Sequence, residues 1–128
     1  MRNKRIFPIV LVIFMFASFL AVAAEKPQET KAVKMPDNVK AVIENKCFGC
    51  HNTDSKNDKA KEKLDLKTLD SLTQTKMIHA LTEIGEVLEK NEMPPEKFLE
   101  KFPDKKLTDA EKKILMDWAS SEAKVLMQ

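Results

Sequence analysis

The two cysteines of the chain, Cys47 and Cys50, stand three positions apart, and His51 follows at once. This Cys-Phe-Gly-Cys-His run constrains the fold more than any other stretch, because it has the spacing of covalent haem attachment. Two thiols at that spacing can each add across one haem vinyl group and form two thioethers. The adjacent imidazole then reaches the iron as an axial ligand. A chain that uses the motif this way must wrap around one large, flat, apolar group. The same spacing has other uses. A redox pair of the thioredoxin type calls for a βαβ setting, and no convincing strand is visible. A zinc site takes four ligands, and beyond these three the chain offers His79 or carboxylates. A plain disulfide is open to an exported protein.

Residues 1–24 carry the marks of export. Arg2, Lys4 and Arg5 form a basic start, Ile6 to Leu20 is apolar apart from Pro8 and Ser18, and Ala21-Val22-Ala23-Ala24 supplies a small-residue cleavage site. The apolar run is also about long enough to remain as a membrane anchor if it is not removed. The expected location is therefore periplasmic or otherwise exported, and membrane-anchored if the leader stays. With the leader set aside, 19 lysines face 20 acidic residues, a net charge of −1. That balance gives no electrostatic case for nucleic acid. The expected organisation is a signal peptide over 1–24, a flexible tether over 25–36 and one domain over 37–128.

Within the domain the apolar pattern is helical and predicts an all-α fold. A first helix starts near Asp37 with Val39, Val42 and Ile43 on one side and runs into Cys47. Residues 52–63 hold seven charged residues and no large apolar one, which predicts a solvated loop. Leu64, Leu66, Leu69 and Leu72 predict a turn or short helix packed on the core. Over 76–91, Met77, Leu81, Ile84 and Leu88 share one face, with His79, Glu83, Glu86 and Lys90 opposite. Asn91 and Met93-Pro94-Pro95 end that helix. A short helix over 95–102 would present Phe98, Leu99 and Phe102. Thr108 and Glu111 form a capping box for a last helix over about 109–126. Its expected stripe is Ala110, Ile114, Trp118 and Val125, with Leu107 as a staple and a second seam through Met116, Ala119, Ala123 and Met127. Trp118, Phe98 and Phe102 read as core aromatics or as walls of a haem pocket.

A second axial ligand must come from elsewhere in the chain. Met93 is the candidate, because it sits in a loop far enough after His51 to wrap around a haem, stiffened by two prolines. A thioether raises the potential relative to two imidazoles. The plain alternative is a methionine filling a core gap. His79 is the rival ligand, but it lies on the polar face of its helix. Met35, Met77, Met116 and Met127 are weaker candidates.

The chain resembles small monohaem c-type cytochromes. The stretch from Asn91 to Glu122, with its Met-Pro-Pro, following aromatic, Leu-Thr-x-x-Glu and Leu-x-x-Trp, is similar to the C-terminal part of the bacterial cytochrome c-like "haem-binding domain" family. The resemblance covers roughly 37–51 and 84–124. It implies a cytochrome c-like helical domain around one covalent haem c, held by Cys47 and Cys50 with His51 and Met93 as axial ligands. Family members often carry an aromatic, Pro-containing stretch soon after the haem motif. Here the charged loop 52–63 stands in that place, which implies a more open haem face.

The expected activity is that of a one-electron carrier serving redox partner proteins, not an enzyme. The alternatives are a haem enzyme or gas sensor with an open sixth position, and a haem subunit of a larger redox complex. No Arg follows residue 5, which disfavours an Arg-assisted peroxidase pocket.

Overall fold

A computed structural model describes residues 32–128. The proposed leader and most of the tether lie outside the described residues. Among those residues the chain is all-α. It has five helices: α1 Asp37–Lys46, α2 Asp58–Lys63, α3 Gln74–Glu89, α4 Glu96–Leu99 and α5 Asp109–Leu126. Single 3-10 turns follow at Leu69–Ser71 and Pro103–Lys105. No helix among the described residues is long and apolar enough to cross a membrane.

The frame is α5 packed along α3, with α1 resting on α5. Each helix contributes an apolar stripe: Val39, Val42 and Ile43 from α1, Met77, Leu81 and Leu88 from α3, and Leu115, Trp118, Ala119, Ala123 and Leu126 from α5. The expected face of α3 is the buried one, with Ile84 packed against it at half burial. The face of α5 is rotated from the expected one. Ala110 is exposed, Ile114 is half-buried and Val125 is 45% exposed, whereas Ala119 is wholly buried. Part of the supposed second seam is thus core, while Met127 is 62% exposed. The reason is physical: small side chains let two helix backbones approach closely, so alanines mark the line of contact.

The ends of these helices are chemically fixed. Thr108 accepts from the Glu111 amide at 3.1 Å, and the Glu111 carboxylate accepts from the Thr108 amide at 2.8 Å, a complete capping box. At the end of α3, Asn91 takes a left-handed φ of 56°. Its amide donates to Leu88 at 3.1 Å and the next amide, of Glu92, donates to Val87 at 2.9 Å. Two carbonyls that a helix end leaves unpaired are thereby satisfied. The Asn91 side chain accepts from Lys112 of α5 at 2.8 Å.

Two segments depart from expectation. The end of the tether is not loose. Val33 is buried, its amide donates to Asp70 at 3.1 Å, and the Lys34 carbonyl accepts from the Trp118 indole at 2.8 Å. The buried indole N–H needs a partner, and this strap supplies it. The loop over 52–63 contains helix α2, and Asn52 and Ser55 in it are buried. Asn57 caps α2 by accepting from the Ala60 amide at 3.1 Å.

Candidate haem site

Helix α1 runs into the pentapeptide without a break. The amides of Cys47 and Phe48 donate to Ile43, and those of Cys50 and His51 donate to Cys47. The run is therefore a continued helical turn, which brings Cys47, Cys50 and His51 to the same cavity. Asn52, directly after it, donates its side-chain amide to the Phe48 carbonyl and accepts from the Asp54 amide at 2.8 Å. That buried clamp locks the turn.

Two adjoining cavities open beside this turn, of about 230 and 380 Å³. Both are lined by Cys47, His51, Lys63, Leu88 and Met93. The first adds Cys50, Pro94, Pro95, Phe98 and Leu107. The second runs inward to Ile43, Leu115 and Trp118. Together they form an apolar cleft of the size that takes a large planar ligand. Phe98 is a wall, as one expected reading held. Phe102 is 48% exposed and packs on Phe98, with ring centroids 4.9 Å apart.

His51 and Met93, the two candidate axial ligands, line the same cleft. Met93 lies just past the left-handed turn at Asn91 and is 38% exposed. His79 does not line this cleft; it borders a neighbouring groove that shares Lys63, Leu64, Ala80 and Glu83 with it, and its side chain is 72% exposed beside Glu83.

The tautomer of His51 follows from its partners. Its Nδ1 lies 3.1 Å from the carbonyl oxygen of Ala60 and 3.1 Å from that of Leu64. Both partners can only accept, so Nδ1 carries a hydrogen, and Nε2 is the ring nitrogen free of these two bonds. A metal-ligating imidazole donates its other ring N–H in this way. Both carbonyls belong to α2 and its C-terminal end. The segment read as a solvated loop is thus a wall of the cleft and the orienting partner of His51. Its far end is tied back where the Thr53 hydroxyl donates to Asp65 at 2.7 Å. That bond, with a second from the Lys67 amide, holds the Asp65 carboxyl below its usual range. The signal for α2 was the Asn57-Asp58 pair, a helix start; its carbonyl groups carry no residue-type signal at all.

The cysteines are free thiols. Burial pushes Cys47 up to about 11, and the nearby charges of Cys50 and Glu111 push the same way. Redox-active pairs depend on the opposite shift, toward thiolate. No group of three or more Cys, His, Asp or Glu side chains among the described residues could hold a metal ion by itself. The donor set and the apolar walls fit a haem: two thiols, an imidazole whose Nδ1 is already hydrogen-bonded, and a thioether on one cleft.

Comparison with known families gives the same class. The chain matches the haem-binding domain family over residues 53–121, a span that starts just past His51 and includes Met93. The chain belongs to that family, and it is a haem-binding protein. No curated protein and no solved structure matches it.

Proposed function

We propose that the protein is an exported one-electron carrier, a monohaem c-type cytochrome. Its haem is bonded through thioethers to Cys47 and Cys50, with His51 and Met93 as axial ligands. The observation that carries this reading is the convergence of Cys47, His51 and Met93 on both halves of one apolar cleft. Haem supplies an iron that cycles between two oxidation states. The chain supplies the rest. Cys47 and Cys50 fix the orientation of the ring, and the carbonyls of Ala60 and Leu64 hold the His51 ring with Nε2 free. Leu88, Leu115 and Trp118 keep the site dry and of low dielectric, which tunes a potential. The leader-like segment over 1–24 supports export, where c-type attachment takes place.

The test is production of the full chain with c-type haem maturation, followed by denaturation and mass measurement. One haem should stay bonded to the wild type and none to Cys47→Ser/Cys50→Ser. Reversible titration by one electron and weak carbon monoxide binding by the reduced protein are expected. Rapid, tight carbon monoxide binding would instead support a sensor or enzyme with an open sixth position. Colour lost on denaturation would overturn covalent attachment.

A further inference from the structure

The cleft is apolar, yet it carries lysines at its edge. Lys46, Lys59 and Lys63 line the first cavity, and Lys63 also lines the second. Lys46 is already engaged: its ammonium donates to the carbonyls of Asp104 at 2.6 Å and Lys106 at 3.2 Å. Lys59 and Lys63 differ. Neither is in an ion pair within 4.0 Å among the described residues, although Glu83 and Glu92 border the second cavity with Lys63. They stand four positions apart on α2, on one face of the helix, and like charges at that spacing repel each other. The neighbouring Lys61 is paired with Asp58 at 2.8 Å. Lys59 and Lys63 are exposed residues that both border the cleft, on the helix whose Ala60 carbonyl orients His51, and neither has an ion-pair partner among the described residues.

A haem is apolar except for two carboxylates on one edge. We propose that Lys59 and Lys63 form the carboxylate-binding subsite for those two groups. The proposal rests on haem occupying this cleft and not on the electron-carrier role. An anion at this edge would relieve the repulsion between the lysines, and each ion pair would hold a carboxyl group ionised. It would also seat the ring from two sides of one helix turn: at the carboxylates through Lys59 and Lys63, and at the iron through His51. Lys59 and Lys63 are positioning residues in this account.

The experiment measures the midpoint potential of the holoprotein against pH for the wild type, for Lys59→Gln/Lys63→Gln and for a control, Lys40→Gln/Lys124→Gln. The control removes two exposed charges that line neither half of the cleft, so net charge is matched. Loss of two ammonium groups beside the haem should disfavour the ferrous form, whose iron carries one positive charge less, and the potential should fall. The carboxyl groups should ionise later, so the bend in the potential–pH profile should move to higher pH. Lys59→Arg/Lys63→Arg should restore both. A Gln variant with the potential and profile of the control would overturn the proposal, even if it bound an acidic partner protein less well. Failure of the wild type to take up haem would overturn both this inference and the reading beneath it. A loaded wild type with an insensitive Gln variant would overturn this inference alone.

Discussion

The sequence speaks to only one of the two ring nitrogens of His51. The position after Cys50 implied an axial ligand. What fixes its tautomer is a pair of backbone carbonyls, at Ala60 and Leu64, each 3.1 Å from Nδ1. Any residue type supplies a carbonyl, so no pattern of side chains could point to these two. Met93 was legible for the opposite reason, because a thioether before two prolines is a distinctive local signal. Its delivery to the cleft depends on Asn91, whose φ of 56° reverses the chain at the end of α3. A residue with a Cβ and no compensating local hydrogen bond is strained there by about 1–2 kcal/mol. Asn91→Ala should therefore lower unfolding stability by about that amount in chemical denaturation. Asn91→Gly should cost less than Asn91→Ala, because glycine adopts positive φ freely. Equal losses for the two variants would show that the Lys112 hydrogen bond, not the backbone turn, holds this corner.

At the scale of elements, apolar period and capping chemistry placed the long helices well. The last helix was expected over about 109–126 and runs Asp109–Leu126. Thr108 and Glu111 mark its start because their side chains and amides satisfy each other. Which face of α5 is buried was harder to read. The wheel weighted large residues, while close contact with α3 selects small ones, and Ala119 at 0% exposure shows where the helix is nearest its neighbours. The two faces predict opposite outcomes. Leu115, 2% exposed on the cleft wall, should lose about 2–5 kcal/mol on replacement by Ala. Val125, on the face first taken as core, should lose no more than about 0.5 kcal/mol. Denaturant midpoints of Leu115→Ala and Val125→Ala compare the two directly, and a larger loss for Val125 would contradict the rotation. Helix α2 escaped the sequence reading altogether. Its six residues bury nothing, so it has no apolar stripe to find, and it is held by the Asn57 cap and its tie to His51.

At the scale of the whole molecule, the fold is a two-helix frame, α3 on α5, to which everything near the cleft is attached by its ends. Lys105 reaches back to Asn45 at 3.1 Å and Lys46 reaches forward to Asp104 at 2.6 Å, pinning the turn after α4 to the end of α1. The strap over 32–36 closes the other side. Its polar, Pro-containing sequence resembles a tether, because its anchors are long-range ones that a local pattern does not carry. The Trp118 indole donates to Lys34, and the Val33 amide to Asp70. Trp118→Phe keeps most of the buried ring and removes the donor, so it should cost about 1 kcal/mol and leave haem uptake intact. Thermal unfolding of the holoprotein checks this; an unchanged midpoint would mean that the strap contributes nothing through the indole.

A haem held in the cleft between His51 and Met93, as proposed, has a distinctive optical signature. The most direct measurement is the visible and far-red absorption spectrum, oxidised and reduced, of the holoprotein and of Met93→Ala. Sharp low-spin bands are expected in the reduced wild type, and a weak far-red band in the oxidised form, from sulfur bound to ferric iron. That band should vanish in Met93→Ala while the haem stays attached. A high-spin wild type, or a far-red band that survives in Met93→Ala, would contradict the proposed ligation.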